Sequence, residues 1–124
     1  MSEPQQMPPG SIAAAISNAT VQLLNEYTGR GPTKAKTTIS RDLVAVVLQD
    51  TMTKAERTLA SNGDAQFVLD MRHRFQHAMR DDLVAAVERL SERKVIAFMS
   101  DNHIDPDMAV ELFVLEPQPE TAEG

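Results

Sequence analysis

The chain has 124 residues, of which 42% are hydrophobic, which is enough for one buried core and hardly for two. Its formal charge of −6 disfavours general binding to nucleic acids or anionic membranes, and the absence of cysteine excludes disulfides, thiolate metal ligands and cysteine nucleophiles. The sequence shows neither a membrane-spanning apolar run of ~20 residues nor a signal-peptide pattern, so we expect a cytoplasmic protein without direct membrane insertion.

Both ends of the chain have the composition of disordered tails. Residues 1–10 contain three prolines and a glycine with little apolar content, and residues 117–124 are acidic and contain two prolines. We therefore predict a disordered N-terminal tail over 1–10, a single α+β domain over 11–116, and a disordered acidic C-terminal tail over 117–124.

The first half of the domain predicts one helix and a hairpin. Ser11 follows Pro9 and Gly10 and is a suitable cap for a helix that ends at Gly29. Residues 35–40 and 43–49 are rich in β-branched residues on either side of a short polar turn. The second of these strands is nearly continuous in apolar residues, so it should lie at the centre of a sheet.

The second half predicts two helices and two strands. Thr53 and Glu56 fit a capping box for a short helix, and Asn62-Gly63-Asp64 indicates a helix stop followed by a new cap. A long helix over about 65–91 should follow, and then strands at 94–100 and 108–115. The order α-β-β-α-α-β-β predicts a two-layer α+β fold, with a four-stranded, mainly antiparallel sheet covered by helices. Because such a long helix overhangs a small sheet, we expect a homodimer.

The long helix contains two charged residues within its predicted buried stripe. Arg72 and Asp82 fall among apolar residues spaced for one helix face, namely Phe67, Val68, Met71, Phe75, Ala78, Met79, Ala86 and Leu90. A charge in such a stripe needs a partner, and the two are too far apart along the helix to pair with each other. Each partner should come from another element or subunit. The two interpretations of Arg72 are a structural ion pair and a ligand-binding residue.

Two groups of residues resemble metal sites only in part. His73 and His77 are four residues apart on one helix face, but Arg74 stands where a zinc protease needs glutamate, which favours solvated surface pairs. The acidic and imidazole residues at 101, 103, 105 and 107 resemble the start of a calcium loop, but Pro106 occupies the position of its glycine. A hairpin turn is the favoured interpretation of that segment, and we predict no metal and no cofactor.

The segment 29–41 is the basic part of this acidic chain. It contains Arg30, Lys34, Lys36 and Arg41 and no carboxylate, and its glycines and proline free backbone N–H groups from helix geometry. It lacks the complete phosphate-loop and dinucleotide-binding motifs. The segment is either a generic anion site, formed by Arg30, Gly31, Lys34 and Lys36, or an ordinary solvated loop.

Several features in chain order carry a resemblance to a known family: the turn Gly29-Arg30-Gly31-Pro32, the helix start Thr53-Lys54-Ala55-Glu56, Arg72, Glu88 with Lys94-Val95, and the segment from Ser100 to Asp107 that leads into residues 111–115. Over residues 10–116 the chain resembles the MpsC-like proteins, small bacterial proteins of unassigned biochemistry named for a sodium-translocating, membrane-potential-generating system. The resemblance implies a cytosolic accessory protein associated with machinery for potential generation and inorganic-carbon uptake. Ser91-Glu92-Arg93 departs from the family, which tends to have a glycine in that turn.

We predict a non-enzymatic binding or regulatory protein that contacts an anionic ligand or an acidic surface of a membrane-complex partner. Arg30, Lys34 and Lys36 would supply the attraction, with Arg72 contributing from the long helix. One alternative is a KH-like nucleic-acid-binding module, because the element order matches a type II KH domain with one extra strand, although the GXXG loop is missing. The other alternative is an enzyme that uses His73 and His77, or Asp101 and His103.

Overall fold

The computed structural model of the protein describes residues 9–118. Within that range the chain forms three helices and one four-stranded sheet. The helices are α1 (Pro9–Thr28), α2 (Lys54–Ser61) and α3 (Ala65–Ser91), and the strands are β1 (Lys34–Ser40), β2 (Leu43–Gln49), β3 (Val95–His103) and β4 (Met108–Leu115). The α+β class, the element order and the long third helix are those predicted from the sequence.

The sheet is antiparallel throughout, with the strand order β1-β2-β4-β3. β2 is one of the two central strands, as its nearly continuous apolar sequence predicts. β3 and β4 form a hairpin, and the register between them shifts between Val95 and Ala97. β1 and β3 are therefore the two edges of the sheet.

The sheet has an inner face that packs against α1 and α3 and an outer face that points away from them. The inner-face residues of the central strands join the helices in one core: Ile16 and Leu24, Val44, Val46 and Leu48, Met79, Leu83 and Val87, and Ala109, Phe113 and Leu115. Alternation along the strands puts the intervening residues on the outer face: Leu43, Ala45 and Val47 on β2, and Val110, Leu112 and Val114 on β4. The central strands are thus apolar on both faces.

The buried side of α3 differs from the predicted stripe. Phe67 and Phe75 are 58% and 37% exposed, and Asp82 is exposed as well. The buried residues of the helix are Val68, Arg72, Gln76, Met79, Leu83 and Val87. Two of these six residues are polar. A buried face predicted from hydrophobic residues alone therefore lies too far toward Phe67 and Phe75, and the prediction is wrong at Phe67, Phe75 and Asp82.

The helix ends follow the sequence signals with two exceptions, the cap bond of Asp64 and the start of α1. Gly29 and Gly63 adopt the left-handed conformation, with φ of 77° and 92°, and end α1 and α2 as predicted. The capping box at the start of α2 is present, with Thr53 Oγ1 and the Glu56 carboxylate each accepting the other residue's backbone N–H. Asp64 makes no side-chain cap hydrogen bond, so its predicted capping role is wrong.

The first helix begins at Pro9, two residues before the predicted cap Ser11. Proline suits a first helical turn because its fixed φ is helical and its missing N–H would have no partner there. The predicted tails over 1–10 and 117–124 lie mostly outside the described residues.

The turn from α3 to β3 keeps a left-handed conformation without a glycine. Glu92 has a φ of 57°, and its N–H bonds to Glu88 O. This is the turn in which the family resemblance leads us to expect a glycine, and a residue with a side chain costs roughly 1–2 kcal/mol in this conformation. The Glu88 carboxylate also accepts the N–H of Val95 at 2.9 Å, which fixes the start of β3 against α3.

Candidate functional site

A cavity of about 300 Å³ lies between α1, α2 and α3, above the inner face of β4. This volume is at the lower end of the roughly 300–1,000 Å³ typical of small-molecule sites. Its polar lining includes Glu56 of α2, Arg72 and Gln76 of α3, and Glu111 of β4, and its apolar walls come from Leu24, Tyr27, Leu59, Met71, Phe75, Met79 and Ala109. An apolar cavity with a few convergent polar groups has the character of a binding site.

Arg72 is the centre of a buried hydrogen-bond network. Its Nη1 donates to both carboxylate oxygens of Glu56, at 3.2 Å each, and its Nε donates to Asn102 Oδ1 at 3.0 Å. Its Nη2 donates to Thr51 Oγ1. Arg72 and Glu56 are only 8% and 5% exposed, so the pair compensates two charges that would be costly alone. The predicted partner from another element is confirmed.

Gln76 extends the network from Arg72 to the sheet. Its Nε2 lies 3.3 Å from Asn102 Oδ1 and 3.2 Å from Glu111 Oε2, and it donates to both. Asn102 Nδ2 returns a hydrogen bond to Gln76 Oε1 at 2.8 Å. The amide pair therefore holds the Glu111 carboxyl group from one side.

Glu111 is the least compensated group of the cavity. It is 1% exposed, and its Oε1 has no hydrogen-bond partner within residues 9–118. Burial raises the pKa of this carboxyl group to about 7, against the opposing effects of the Gln76 hydrogen bond and the Arg72 charge. A buried acceptor without a donor costs about 1–3 kcal/mol, so Oε1 is a place where a ligand's donor would be favourable.

Simple sequence periodicities place these side chains. Arg72 and Gln76 are one helical turn apart, so both face the sheet from α3. Alternation along β4 points Ala109, Glu111 and Phe113 to the inner face. Glu56 occupies the third position of α2, where its carboxylate caps the helix and reaches Arg72 at the same time.

Sequence reasoning proposed only Arg72 of this network as a site residue and missed the other members, Thr51, Glu56, Gln76, Asn102 and Glu111. Glu111 had a usable signal, because it interrupts an otherwise apolar strand at the parity of the buried positions Ala109 and Phe113, and a buried carboxyl group must be paired or neutralised. Gln76 had a weaker one, since it lies one turn after the buried Arg72 and so shares its face.

A family model described as "Na+-translocating membrane potential-generating system (MpsC)" matches residues 9–117. The chain belongs to the MpsC family. No curated protein and no solved structure matches it. Among residues 9–118, no helix combines the length and the hydrophobicity needed to cross a bilayer.

The segments by which this chain resembles the MpsC family contain most of the buried network. Glu56, Arg72, Asn102 and Glu111 each lie in one of those segments and each hydrogen-bonds to another member.

The Asp101–Asp107 segment of this MpsC-family chain supports the network structurally. Asp107 Oδ1 accepts the N–H and the hydroxyl of Thr51 at 3.1 Å each, and Oδ2 accepts the N–H of Met52 at 3.0 Å. Because Thr51 accepts from Arg72 in turn, the turn fixes one of the arginine's partners. The hairpin-turn interpretation is confirmed.

The predicted ligand-binding residues are divided between two places. Lys34 and Lys36 are exposed on β1 and alternate with the inward-facing Ala35, whereas Arg72 is buried on the inner side of the sheet. Arg30 Nε donates to the carbonyl of Asp50 at 3.1 Å. Gly31 packs against Val21, since an added Cβ would lie 3.4 Å from a methyl group of that residue. The structure does not bring Arg72 together with the two lysines, and anion binding by segment 29–41 stays a prediction.

Of the remaining ion pairs among the described residues, Arg93–Asp42 is half-buried and His73–Asp101 is on the surface. His73 Nε2 lies 3.3 Å from Asp101 Oδ1, with side chains 49% and 76% exposed. The backbone N–H of Asn102 and then the His73 contact lower the pKa of Asp101. Within residues 9–118, no three His, Asp or Glu side chains are arranged to hold a metal ion. Asp82 accepts from the hydroxyl of Tyr27 in α1 at 2.6 Å, so its partner also comes from another element.

Proposed function

We propose that this MpsC-family protein is a non-enzymatic accessory protein that binds a small, largely apolar molecule in the cavity between α1, α2 and α3. The observation that carries the proposal is Glu111, a lining residue of that cavity whose buried Oε1 has no hydrogen-bond partner among residues 9–118. The other charges of the lining, Arg72 and Glu56, are bonded to each other. The pairing of Arg72 with Glu56 favours a binding role over a catalytic one.

The lining indicates the chemical class of the ligand. Leu24, Met71 and Phe75 favour an alkyl or aromatic body. A hydroxyl or ammonium head group would donate to Glu111 Oε1, whereas a carboxylate head group would be repelled by the ionised form of Glu111. The ligand we propose is therefore a small amphipathic alcohol or amine.

The family description suggests a physiological setting in which we place the proposed binding role. It names a Na⁺-translocating, membrane-potential-generating system. We propose that the protein serves such a system as an accessory that reports ligand occupancy through a protein partner, because a cavity lined by three helices couples a bound molecule to the packing of those helices.

Thermal unfolding with matched probes tests the cavity. The probes are 1-hexanol, hexylamine and hexanoate, which share one chain and differ in the head group. A ligand that binds only the folded state raises the melting temperature, so the alcohol or the amine should raise it and hexanoate should not at pH 8. In the Glu111→Gln variant the difference between head groups should disappear, whereas the exposed control Glu92→Gln should behave as wild type.

Two results would contradict the cavity proposal. One is the absence of any shift with all three probes up to their solubility limit. The other is an equal shift for alcohol, amine and carboxylate, because this would remove Glu111 from recognition.

The basic segment supports a second proposed contact, with an anionic group. Lys34 and Lys36 are exposed, and neither forms an ion pair with another residue in the described range. We propose that they, with Arg30, attract an anionic ligand or an acidic protein surface. Replacing all three by glutamine should abolish stabilisation by phosphate or bicarbonate, or binding of a partner, and shift the melting temperature of the free protein by no more than a few degrees. Unchanged binding would remove the segment from the proposal.

The KH-like alternative stays a hypothesis with weaker support. The turn between α2 and α3, where a KH domain carries its GXXG loop, has Gly63 between Asn62 and the acidic Asp64. A fluorescence titration with single-stranded RNA that showed a steep dependence on salt would favour it over the contact proposed here.

A further inference from the structure

The outer face of the sheet is an apolar surface on the side away from the helices. Leu43, Val47 and Met99 are 41%, 37% and 50% exposed there. They are joined in register by the outer-face residues of β4, since Val47 pairs with Val110 and Leu112 pairs with Met99. Strands that are apolar on both faces are typical of sheets covered on both faces. The composition of the central strands is therefore typical of a sheet whose outer face is also covered.

Charges of opposite sign stand at the two edges of this face. β1 carries Lys34 and Lys36 on its outward positions, and β3 carries Asp101 and His103. The Asp101 carboxylate also lies 3.3 Å from His73 Nε2 of α3, but its side chain is 76% exposed and stays accessible to a second positive group. The strand register aligns them in rows, so that Lys36, Val47, Val110 and Asp101 lie in one row across the sheet. The surface is cationic at one edge, apolar in the middle and acidic at the other edge.

This arrangement is self-complementary under one symmetry operation. A two-fold axis parallel to the strands, between β2 and β4, places the β1 edge of one copy over the β3 edge of the other without changing the row. Lys36 then faces Asp101 of the second copy, and Val47 faces Val110. Because a two-fold interface repeats each contact, both copies form the same ion pair.

We propose that the outer face is the surface on which a second copy of this chain docks, in a face-to-face sheet packing with two Lys36–Asp101 contacts between copies. Aligned sheets pack about 10 Å apart and about −30° from parallel, an offset that the long lysine side chain spans. The proposal rests on the contact role proposed for the basic segment, identifies its acidic partner surface, and is independent of the cavity ligand.

The acidic edge contains a place for the lysines of the second copy. A shallow depression of about 250 Å³ is lined by Val47, Asp101, His103, Met108 and Val110, among others. His103 Nδ1 lies 2.9 Å from the carbonyl oxygen of Pro106, so in the neutral ring Nδ1 donates and Nε2 is an acceptor. The same symmetry places Lys34 of the second copy opposite His103, which gives both lysines a partner.

Sedimentation equilibrium of the full chain, from 1 to 100 µM, tests the proposal with variants that reverse the charge of Lys36 or of Asp101. Lys36→Glu and Asp101→Lys each put like charges opposite each other in both contacts, and each should raise the dimer dissociation constant by at least about tenfold. In an equimolar mixture of the two variants, a heterodimer restores both ion pairs. The mixture should therefore recover the dimer that each variant alone has lost.

A matched pair of apolar variants locates the interface. Val47→Glu puts a charge at the centre of the outer face and should give a monomer, whereas Phe67→Glu, at an exposed position of α3, should leave the dimer unchanged. Circular dichroism of each variant checks that it is folded. A dimer lost with Phe67→Glu and kept with Val47→Glu would overturn the proposal in favour of the overhanging helix.

A wild-type monomer at 100 µM would also overturn the dimer. The proposed contact role of the basic segment would survive that result if phosphate or bicarbonate stabilised the monomer and the glutamine variants abolished the effect. If phosphate and bicarbonate did not stabilise the monomer, or if the glutamine variants did not change that stabilisation, the contact role would fail together with the dimer. Failure of the dimer alone and failure of both proposals are therefore distinguishable.

Discussion

On the inner face of the sheet, Glu111 is 1% exposed, whereas on the outer face the apolar Met99 is 50% exposed. The inner face lies under helices and holds the network of Arg72, Gln76 and Glu111. The outer face has apolar residues in the middle and charges at its edges. Residues on the face that packs against α1 and α3 are buried whether they are polar or apolar. On that inner face a charged group must have a hydrogen-bonding or ion-pair partner, whereas on the outer face the apolar side chains are left exposed unless another surface covers them.

The largest expected effect comes from breaking the inner network. Arg72→Met removes the charge but keeps most of the side-chain volume, and it removes the hydrogen bonds that the guanidinium donates to Glu56 and Asn102. We expect a loss of about 3–5 kcal/mol in the free energy of unfolding, measured by urea denaturation, because an unpaired buried charge is the costly state. The matched control is Arg74→Met, which is exposed on the same helix and should change stability by less than about 0.5 kcal/mol. Similar values for the two variants would show that the network is not stabilised by the pair.

The pH dependence of stability sharpens the comparison on the same face. The Glu111 carboxyl group has its pKa raised from 4.5 to about 7 in the folded protein. As pH rises between these values, the folded state keeps a proton that the unfolded state releases, so the free energy of unfolding falls, by at most about 3 kcal/mol. Above pH 7 this loss is complete, and below pH 4.5 it is absent.

Glu111→Gln should remove that slope. Relative to wild type, the variant should gain stability between pH 5 and pH 8, as measured by urea denaturation at each pH. Arg72 and Glu56 are the charged groups that face the carboxyl group, and both are retained in the variant, so the difference reports Glu111. A wild-type minus variant difference that does not change with pH would contradict the raised pKa.

Adjacent valines compare the two faces directly. Val46 is fully buried and Val47 is 37% exposed, and they are neighbours on β2 with opposite orientation. At 1 µM protein, Val46→Ala should cost about 2–3 kcal/mol from lost burial and the cavity left behind, and Val47→Ala less than about 1 kcal/mol. If a second copy covers the outer face, the cost of Val47→Ala should rise with protein concentration while that of Val46→Ala stays constant. Equal costs at low concentration would mean that the outer face is already covered.

The smallest expected effect is a gain, at a position away from both faces. Glu92 has a φ of 57°, and Glu92→Gly removes the steric cost of that conformation at the expense of added freedom in the unfolded chain. We expect a net stabilisation of a few tenths to about 1 kcal/mol, seen as a rise of a few degrees in the melting temperature. Glu88→Gly, inside α3, should be destabilising and serves as the contrast.

The sequence predicted the fold well because the signals for its elements are local. The capping box at Thr53 and Glu56, the glycine stops at Gly29 and Gly63, and the apolar run of β2 each depend on a few neighbouring residues. Asp64 shows the limit of such signals, since it stands at the cap position and makes no cap bond. Asp64 thus predicted where α3 begins but not the hydrogen bond, whereas the predicted cap Ser11 lies two residues inside α1.

The candidate site was only partly predictable because it is assembled from distant segments. That Arg72 needs a partner follows from its apolar surroundings, but nothing local indicates Glu56, whose capping role already explains it. Glu111 and Gln76 meet only through the packing of α3 on β4. The lysines of β1 were visible as a charge cluster, yet their separation from Arg72 by the sheet is a property of the folded chain.

The double role of Glu56 has a consequence for the motion of α2. An eight-residue helix is unstable by itself, and this one is held by its capping box and by the ion pair to α3, both through a single carboxylate. Loss of that carboxylate's contacts would release α2 as a unit and uncover the cavity wall that Leu59 provides. Backbone amides of α2 should therefore exchange with deuterium through a partial opening that leaves the sheet intact.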